Sequence, residues 1–161
     1  MAPDQVAAAY ADILNNGESS EYYDAFESDG DQFRLNVAAN RVERTAAFNE
    51  TASTTATTGN LAFAASAGSF DPTALATLES GAILAVSVSE TDTVTPTTAD
   101  AVIKFENNQT VRALTGVEES ATGVTTTFSD QLFFYVPAQG SGEKIQLLGY
   151  GSNLLEAKVI S

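Results

Sequence analysis

Between Asp130 and Ser161 the chain alternates short apolar runs with turns, and this stretch narrows the folds open to it more than any other. Asp130-Gln131-Leu132-Phe133-Phe134-Tyr135-Val136 is followed by a Pro/Gly/Ser turn. Lys144-Ile145-Gln146-Leu147-Leu148-Gly149-Tyr150 comes next, then a break at Gly151-Ser152-Asn153 and a closing run from Leu154 to Ile160. These runs are short, aromatic or branched, and bounded by turn residues, which is the pattern of strands. They predict a long-looped hairpin and a terminal strand at the centre of a β-domain. Leu, Ile, Val and Phe make up 38 of the 161 residues, above the roughly 20% below which disorder is expected. One domain with a core therefore fits the length. The 26 Ala and 19 Thr lie partly in low-complexity stretches, so the core is smaller than the apolar fraction implies.

Upstream, Val6, Tyr10, Ile13 and Leu14 recur at helical spacing. Asp4 is placed to cap and Gly17 to terminate a helix over 5–15. Such a helix is marginal alone and must dock on something, either its own domain or a neighbouring subunit. Residues 18–31 carry six acids and no base, interrupted by Tyr22, Tyr23 and Phe26. Residues 1–31 accordingly read as a helix and an acidic arm, with Tyr10, Ile13, Leu14, Tyr22, Tyr23 and Phe26 as candidate interface anchors.

Residues 32–161 read as the β-domain. Strict alternation predicts a strand over 33–37, and a weaker run follows over 41–48, with Ala38-Ala39-Asn40 as the turn. Thr51 to Asn60 reads as a loop and Leu61 to Ala67 as a strand. Asp71, Pro72 and Gly81 are placed to cap, start and stop a short helix. Ala82 to Val88 is a central strand, and Ser89 to Asp100 a long polar loop. Strands over 101–105 and 110–114 are joined by the hairpin-length Glu106-Asn107-Asn108-Gln109, and 124–128 and 131–136 follow. The fold class expected is mainly β: an antiparallel sandwich or jelly-roll-like domain with a short N-terminal helix and acidic arm.

No His and no Cys occurs, which removes Ser–His–Asp and Cys–His catalysis in their usual forms. Paired carboxylates remain, but Glu118 and Glu119 are adjacent and would point to opposite sides of a strand. Glu106, Asp130 and Glu156 fall at strand ends or outward positions. Asp29-Gly30-Asp31 misses the calcium-loop spacing and reads as a turn. Asn49-Glu50-Thr51 and Asn108-Gln109-Thr110 match the glycosylation pattern, as a Thr-rich chain does by chance. Gly140-Ser141-Gly142-Glu143-Lys144 lacks phosphate-loop spacing. The expectation is a protein that is not an enzyme, with no catalytic residue, no metal and no cofactor.

The net charge of −14, with 21 acids against 7 bases, disfavours nucleic acid and anionic membrane as partners. It fits a solvated surface or a partner with a basic face. No segment reads as a secretory signal or a membrane span, so manufacture in the cytoplasm is expected.

Leu78-Glu79-Ser80-Gly81-Ala82-Ile83-Leu84-Ala85-Val86-Ser87-Val88, the Ala/Thr/Gly-rich loops and the closing stretch from Lys144 to Ser161 resemble the head decoration, or cement, proteins of tailed bacteriophages. The likeness covers residues 61–161 and is one of texture. It implies a non-enzymatic structural protein of the virion exterior. Such a protein forms a homo-trimer on an icosahedral capsid and clamps neighbouring copies of the major capsid protein. The alternative is a β-sandwich binding module for carbohydrate or protein. Ser89 to Asp100 and Thr115 to Gly123 contain no aromatic for a sugar to stack on, which favours the structural reading.

Overall fold

In a computed structural model the chain is mainly antiparallel β, with 40% strand against 30% helix. The structure describes residues 1–55, 59–105 and 108–161, and for 51–55 the backbone alone. Helix α1 spans Pro3–Asn16, followed by 3-10 turns at Gly17–Ser19 and Tyr23–Ala25. Helix α2 spans Gln32–Thr55 and α3 spans Gln109–Thr115. The strands are β1 (Gly59–Ala67), β2 (Thr73–Ala76), β3 (Ala82–Pro96), β4 (Ile103–Lys104), β5 (Glu119–Ser120), β6 (Val124–Val136) and β7 (Gln146–Val159). A five-stranded sheet has the order β1-β3-β6-β7, with β2 also paired to β3, and β4 and β5 form a second, two-stranded sheet.

The chain divides into two compact units. The first comprises Met1–Ala38, Ala65–Glu90 and Ser129–Asn153, and the second Ala39–Ala64, Thr91–Phe128 and Leu154–Ser161.

In the first unit α1 forms the layer over the sheet. Its stripe of Val6, Tyr10, Ile13 and Leu14 is buried with Leu84, Val86 and Val88 of β3 and Leu132 and Phe134 of β6. The turn after α1 does not swing free either. Phe26 pairs with Ile145 in a parallel bridge, and Glu27 N donates to Ile145 O at 2.8 Å. Gly17 ends α1 at φ +56°, where a residue without a side chain is least strained.

Several expectations about elements fail, each for a local reason. The alternation of 33–37 is helical: Phe33 and Val37, four apart, are buried, while Leu35 is exposed. Asp31 caps α2 by accepting from Arg34 N at 3.0 Å, and helix-forming Ala, Arg and Glu carry it through 41–48, so no turn occurs at Ala38-Ala39-Asn40. The helix expected from Asp71 to Gly81 is instead β2 and a turn, closed by Thr77 N donating to Gly81 O at 2.8 Å. Pairing with β3 overrides the capping signals there. Of the polar loop expected over 89–100, residues 89–96 are the second half of β3, where Thr91, Thr93 and Thr95 alternate with Asp92 and Val94 as a strand requires.

The strand expected over 110–114 is α3. Asn108 caps it by accepting from Val111 N at 3.0 Å, and Gly116 ends it in the left-handed region. Finally, the breaks expected inside 124–136 and 146–159 are absent, and each is one long strand. The loop expected from Thr51 to Asn60 is helix up to Thr55. Residues 56–58, and residues 106 and 107 of the expected hairpin connection, lie outside the described residues.

The second unit has its own core of Ile103, Phe105, Val111, Val124 and Ala157, with Val94 against it. Thr93 and Thr125 hydroxyls pair across β3 and β6 at 3.1 Å. Gly123, at φ +109°, lies where a Cβ would meet Val94 O at 2.3 Å, so only glycine permits this approach of β6 to β3. Arg44 of α2 pairs with Asp92, and the Arg41 and Arg44 guanidinium groups lie 5.7 and 5.9 Å from the Phe63 ring centroid.

Candidate functional site

The first unit's sheet presents two chemically distinct faces. The inner face holds an aromatic cluster with polar groups buried inside it. Tyr10 packs against Phe26, Phe134 and Phe33 with ring centroids 5.4, 4.9 and 6.3 Å apart. Its hydroxyl donates to both oxygens of Asp31 at 2.8 Å. Asp31 also pairs with Arg34, whose Nε lies 3.5 Å from Oδ2, so this carboxylate is buried but fully engaged. Asp29-Gly30-Asp31 is a turn, with Gly30 at φ +78° and Asp31 directed into the core.

Asp130 is the residue the sequence reading placed wrongly. It lies inside β6, not at a strand end, and is 0% exposed. The signal was available: Asp130, Leu132 and Phe134 share the period of 2 that fixes a strand's inner face. Neither of its oxygens has a hydrogen bond of good geometry. Burial pushes its pKa up, and the nearby Ser152 hydroxyl and Glu90 carboxyl only partly oppose this. Asp130 of the folded chain therefore holds a proton to higher pH than Asp130 of the unfolded chain. Its contribution to stability is complete below the ordinary aspartate pKa and lost as pH rises through the raised value. Asp130→Asn should raise the melting temperature at pH 7, by about 1–3 kcal/mol of stability, and the gain should vanish towards pH 3. Thermal melts of both proteins across that range measure the difference.

On the outer face Ser87 of β3 is buried, its hydroxyl accepting from Phe70 N at 3.3 Å. Ile83 of β3 and Phe133 of β6 are 40% and 44% exposed, on the side opposite Leu84, Leu132 and Phe134. Leu75 of β2 is paired directly with Ile83 and is 68% exposed. Leu75, Ile83 and Phe133 therefore lie on one face across three neighbouring strands. Phe70 and Leu78, in the segments flanking β2, are also exposed.

The anchors expected from sequence divide between core and margin. Tyr10, Ile13, Leu14 and Phe26 are core residues of the first unit, and Tyr22 and Tyr23 are partly buried against it. Tyr23 lies under the Arg34 guanidinium, 5.2 Å from ring centroid to Cζ. In the second unit an open hollow of about 400 Å³ is lined by Gln109, Arg112, Gly116, Val117 and Glu118. Its two charges already face each other, since Arg112 pairs with Glu118. Glu156 is paired with Lys158 at 2.6 Å. Among the described residues no group of three acids is placed to hold a metal ion, and no helix is long and apolar enough to cross a membrane.

Fold and faces define a mainly antiparallel β protein whose first unit packs an N-terminal helix on one face of its sheet. The chain belongs to the family described as Domain of unknown function (DUF8094), whose model matches residues 1–159. No curated protein and no solved structure matches it.

Proposed function

We propose that this chain is a non-catalytic docking protein that binds a protein partner through the open sheet face of its first unit. The observation that carries the reading is the row Leu75, Ile83 and Phe133, large apolar side chains left in water on adjacent strands. Single exposed apolar residues are ordinary, but three on one face of neighbouring strands mark an interaction surface. The carboxylates point the same way. Asp31 is consumed by Tyr10 and Arg34, and Asp130 is sealed in the core, so neither reaches a substrate. A sugar-binding module would place ring-stacking aromatics beside polar groups, whereas this row is mostly aliphatic. Decoration of a capsid as a homo-trimer, with the major capsid protein as partner, is the assembly-level form of this reading and draws on the sequence resemblance.

The test is site-specific photo-cross-linking in the native host. A benzophenone amino acid at position 133 should give one dominant protein adduct, and the same group at the exposed Glu143 should not. Leu75→Asp should remove most of that adduct. Capsid protein in the adduct would establish decoration, and self-adducts would establish oligomerisation. Equal, diffuse adducts from both positions would sink the docking reading.

A further inference from the structure

We infer that the partner is met at the free edge of β2, by an extended basic segment that adds to the sheet as a further strand. The inference rests on the docking reading above and specifies its partner. β2 pairs with β3 alone, in the register Thr73↔Ala85, Ala74↔Leu84, Leu75↔Ile83 and Ala76↔Ala82. Thr77 N donates to Gly81 O. Residues that exchange bonds alternate along an antiparallel ladder. Thr73 and Leu75 therefore bond to β3, and the backbone groups of Ala74 and Ala76 point the other way. Among the described residues nothing accepts or donates there, and all four β2 side chains are exposed.

The contrast with β1 makes this edge distinctive. At Ala65 the chain closes its own edge: the Asn15 side chain accepts from Ala65 N at 2.7 Å and donates to Ala65 O at 2.8 Å. A free edge is a template for another strand, and folds that do not use one cover it or charge it with lysine. Among the described residues nothing pairs with or covers that edge of β2, and it carries no lysine. Pairing with it would extend the face of Leu75, Ile83 and Phe133 by one strand, so alternate apolar side chains of the incoming segment would join that row.

Charge identifies the occupant. No Lys or Arg occurs from Thr45 to Ile103, and exposed Asp71 and Glu79 bracket β2. A second copy of this chain would bring its own Asp71 and Glu79 against these two in either strand direction, and like charges placed opposite each other destabilise a pair. A segment with basic residues at both ends of an alternating apolar core meets both acids favourably.

The experiment titrates the full chain, observed by amide NMR, with an acetylated peptide alternating valine and threonine between terminal lysines. The control peptide has terminal glutamates. The lysine peptide should shift and protect the amides of residues 73–76. The glutamate peptide should bind more weakly, and Asp71→Asn with Glu79→Gln should weaken the lysine peptide about two- to tenfold. Ala74→Pro removes an outward N–H without touching a bond to β3, and proline is tolerated on edge strands. It should abolish binding while leaving the thermal melt near that of the parent chain. Equal affinity for the two peptides, or unchanged binding in Ala74→Pro, would overturn strand addition. So would sedimentation of the free chain as a dimer that Ala74→Pro dissolves, which would make the occupant a second copy. If the adduct from position 133 persists in Ala74→Pro, docking stands and strand addition falls. If that adduct never forms, the docking reading itself fails.

Discussion

Tyr10→Ala should leave the protein at or past the limit of its stability. The ring is 0% exposed and touches three other aromatics, and removing a buried aromatic side chain costs about 3–5 kcal/mol. The same change strips the phenol from a buried carboxylate, adding about 1–3 kcal/mol for the hydrogen bonds lost by Asp31. Proteins of this size hold about 5–15 kcal/mol in total. Tyr10→Phe separates the two losses. It keeps the ring and should cost only the hydroxyl's share, about 1–3 kcal/mol, read as a melting temperature lower by several degrees. A melt of Tyr10→Phe indistinguishable from the parent would mean that Asp31 does not depend on the phenol.

Alkaline pH offers a second view of the same bond. Burial, then the Asp31 charge and the hydrogen bond to it, push the Tyr10 pKa far above its ordinary value. As pH rises past about 10, the unfolded chain releases this proton and the folded chain keeps it. Stability should therefore fall with pH in that range, and the fall should be smaller in Tyr10→Phe.

Deletion of residues 1–31 should abolish the fold of the first unit. From sequence this segment reads as an arm apart from the β-domain, whereas the structure builds it into the first unit's core. Val6, Tyr10, Ile13, Leu14 and Phe26 are all buried in the first unit's core. At roughly 1.5–3 kcal/mol for each buried side chain, their removal takes away a sum comparable with the whole stability. The parallel bridge at Ile145 and the cap on α2 from Asp31 go with them. Circular dichroism and amide NMR of the truncated chain are the measurements. A cooperative melt with dispersed amide signals would restore the arm.

What could be read in the sequence follows from where one physical signal acted alone. α1 has a four-residue apolar stripe with good helix formers between, and it was placed within two residues at each end. The cores of β1, β3, β6 and β7 were legible for the same reason, since branched and aromatic runs bounded by turns have one interpretation. Where two periods competed, the reading failed. Phe33 to Val37 fits a period of 2 over five residues, and only the caps and the long run of helix formers behind it decide for the helix. Residues 71–81 carry helix start and stop signals that pairing with β3 overrides, which no local pattern could reveal. Thr91 to Thr95 was taken for a loop because it is polar, although threonine is branched at Cβ and suits a strand. Residues 110–114 were read by their branched residues, while Asn108 and Gly116 held the deciding information.

The candidate site was legible in its chemistry more than in its placement. The absence of His removed the common catalytic schemes at once. Of the aromatics expected as anchors, Tyr10 and Phe26 are buried within the chain's own core. The open row on the sheet went unseen because Leu75 was assigned to a helix. Its alignment with Ile83 exists only through the register of β2 on β3.

The clamp of Asn15 on Ala65 bears on the fate of the protein when it is crowded or stressed. One side-chain amide supplies both the donor and the acceptor that an intruding chain would use at that residue. Asn15→Leu would retain the helix and the apolar packing, yet expose a strand end to other molecules. The two lost bonds would cost about 1–3 kcal/mol of equilibrium stability. A second effect would appear in colloidal behaviour, as a shorter lag before fibres or amorphous aggregates form at high concentration. Asn15 in this sense acts as a gatekeeper, fixing how long a concentrated solution of the chain stays clear as well as how firmly it folds.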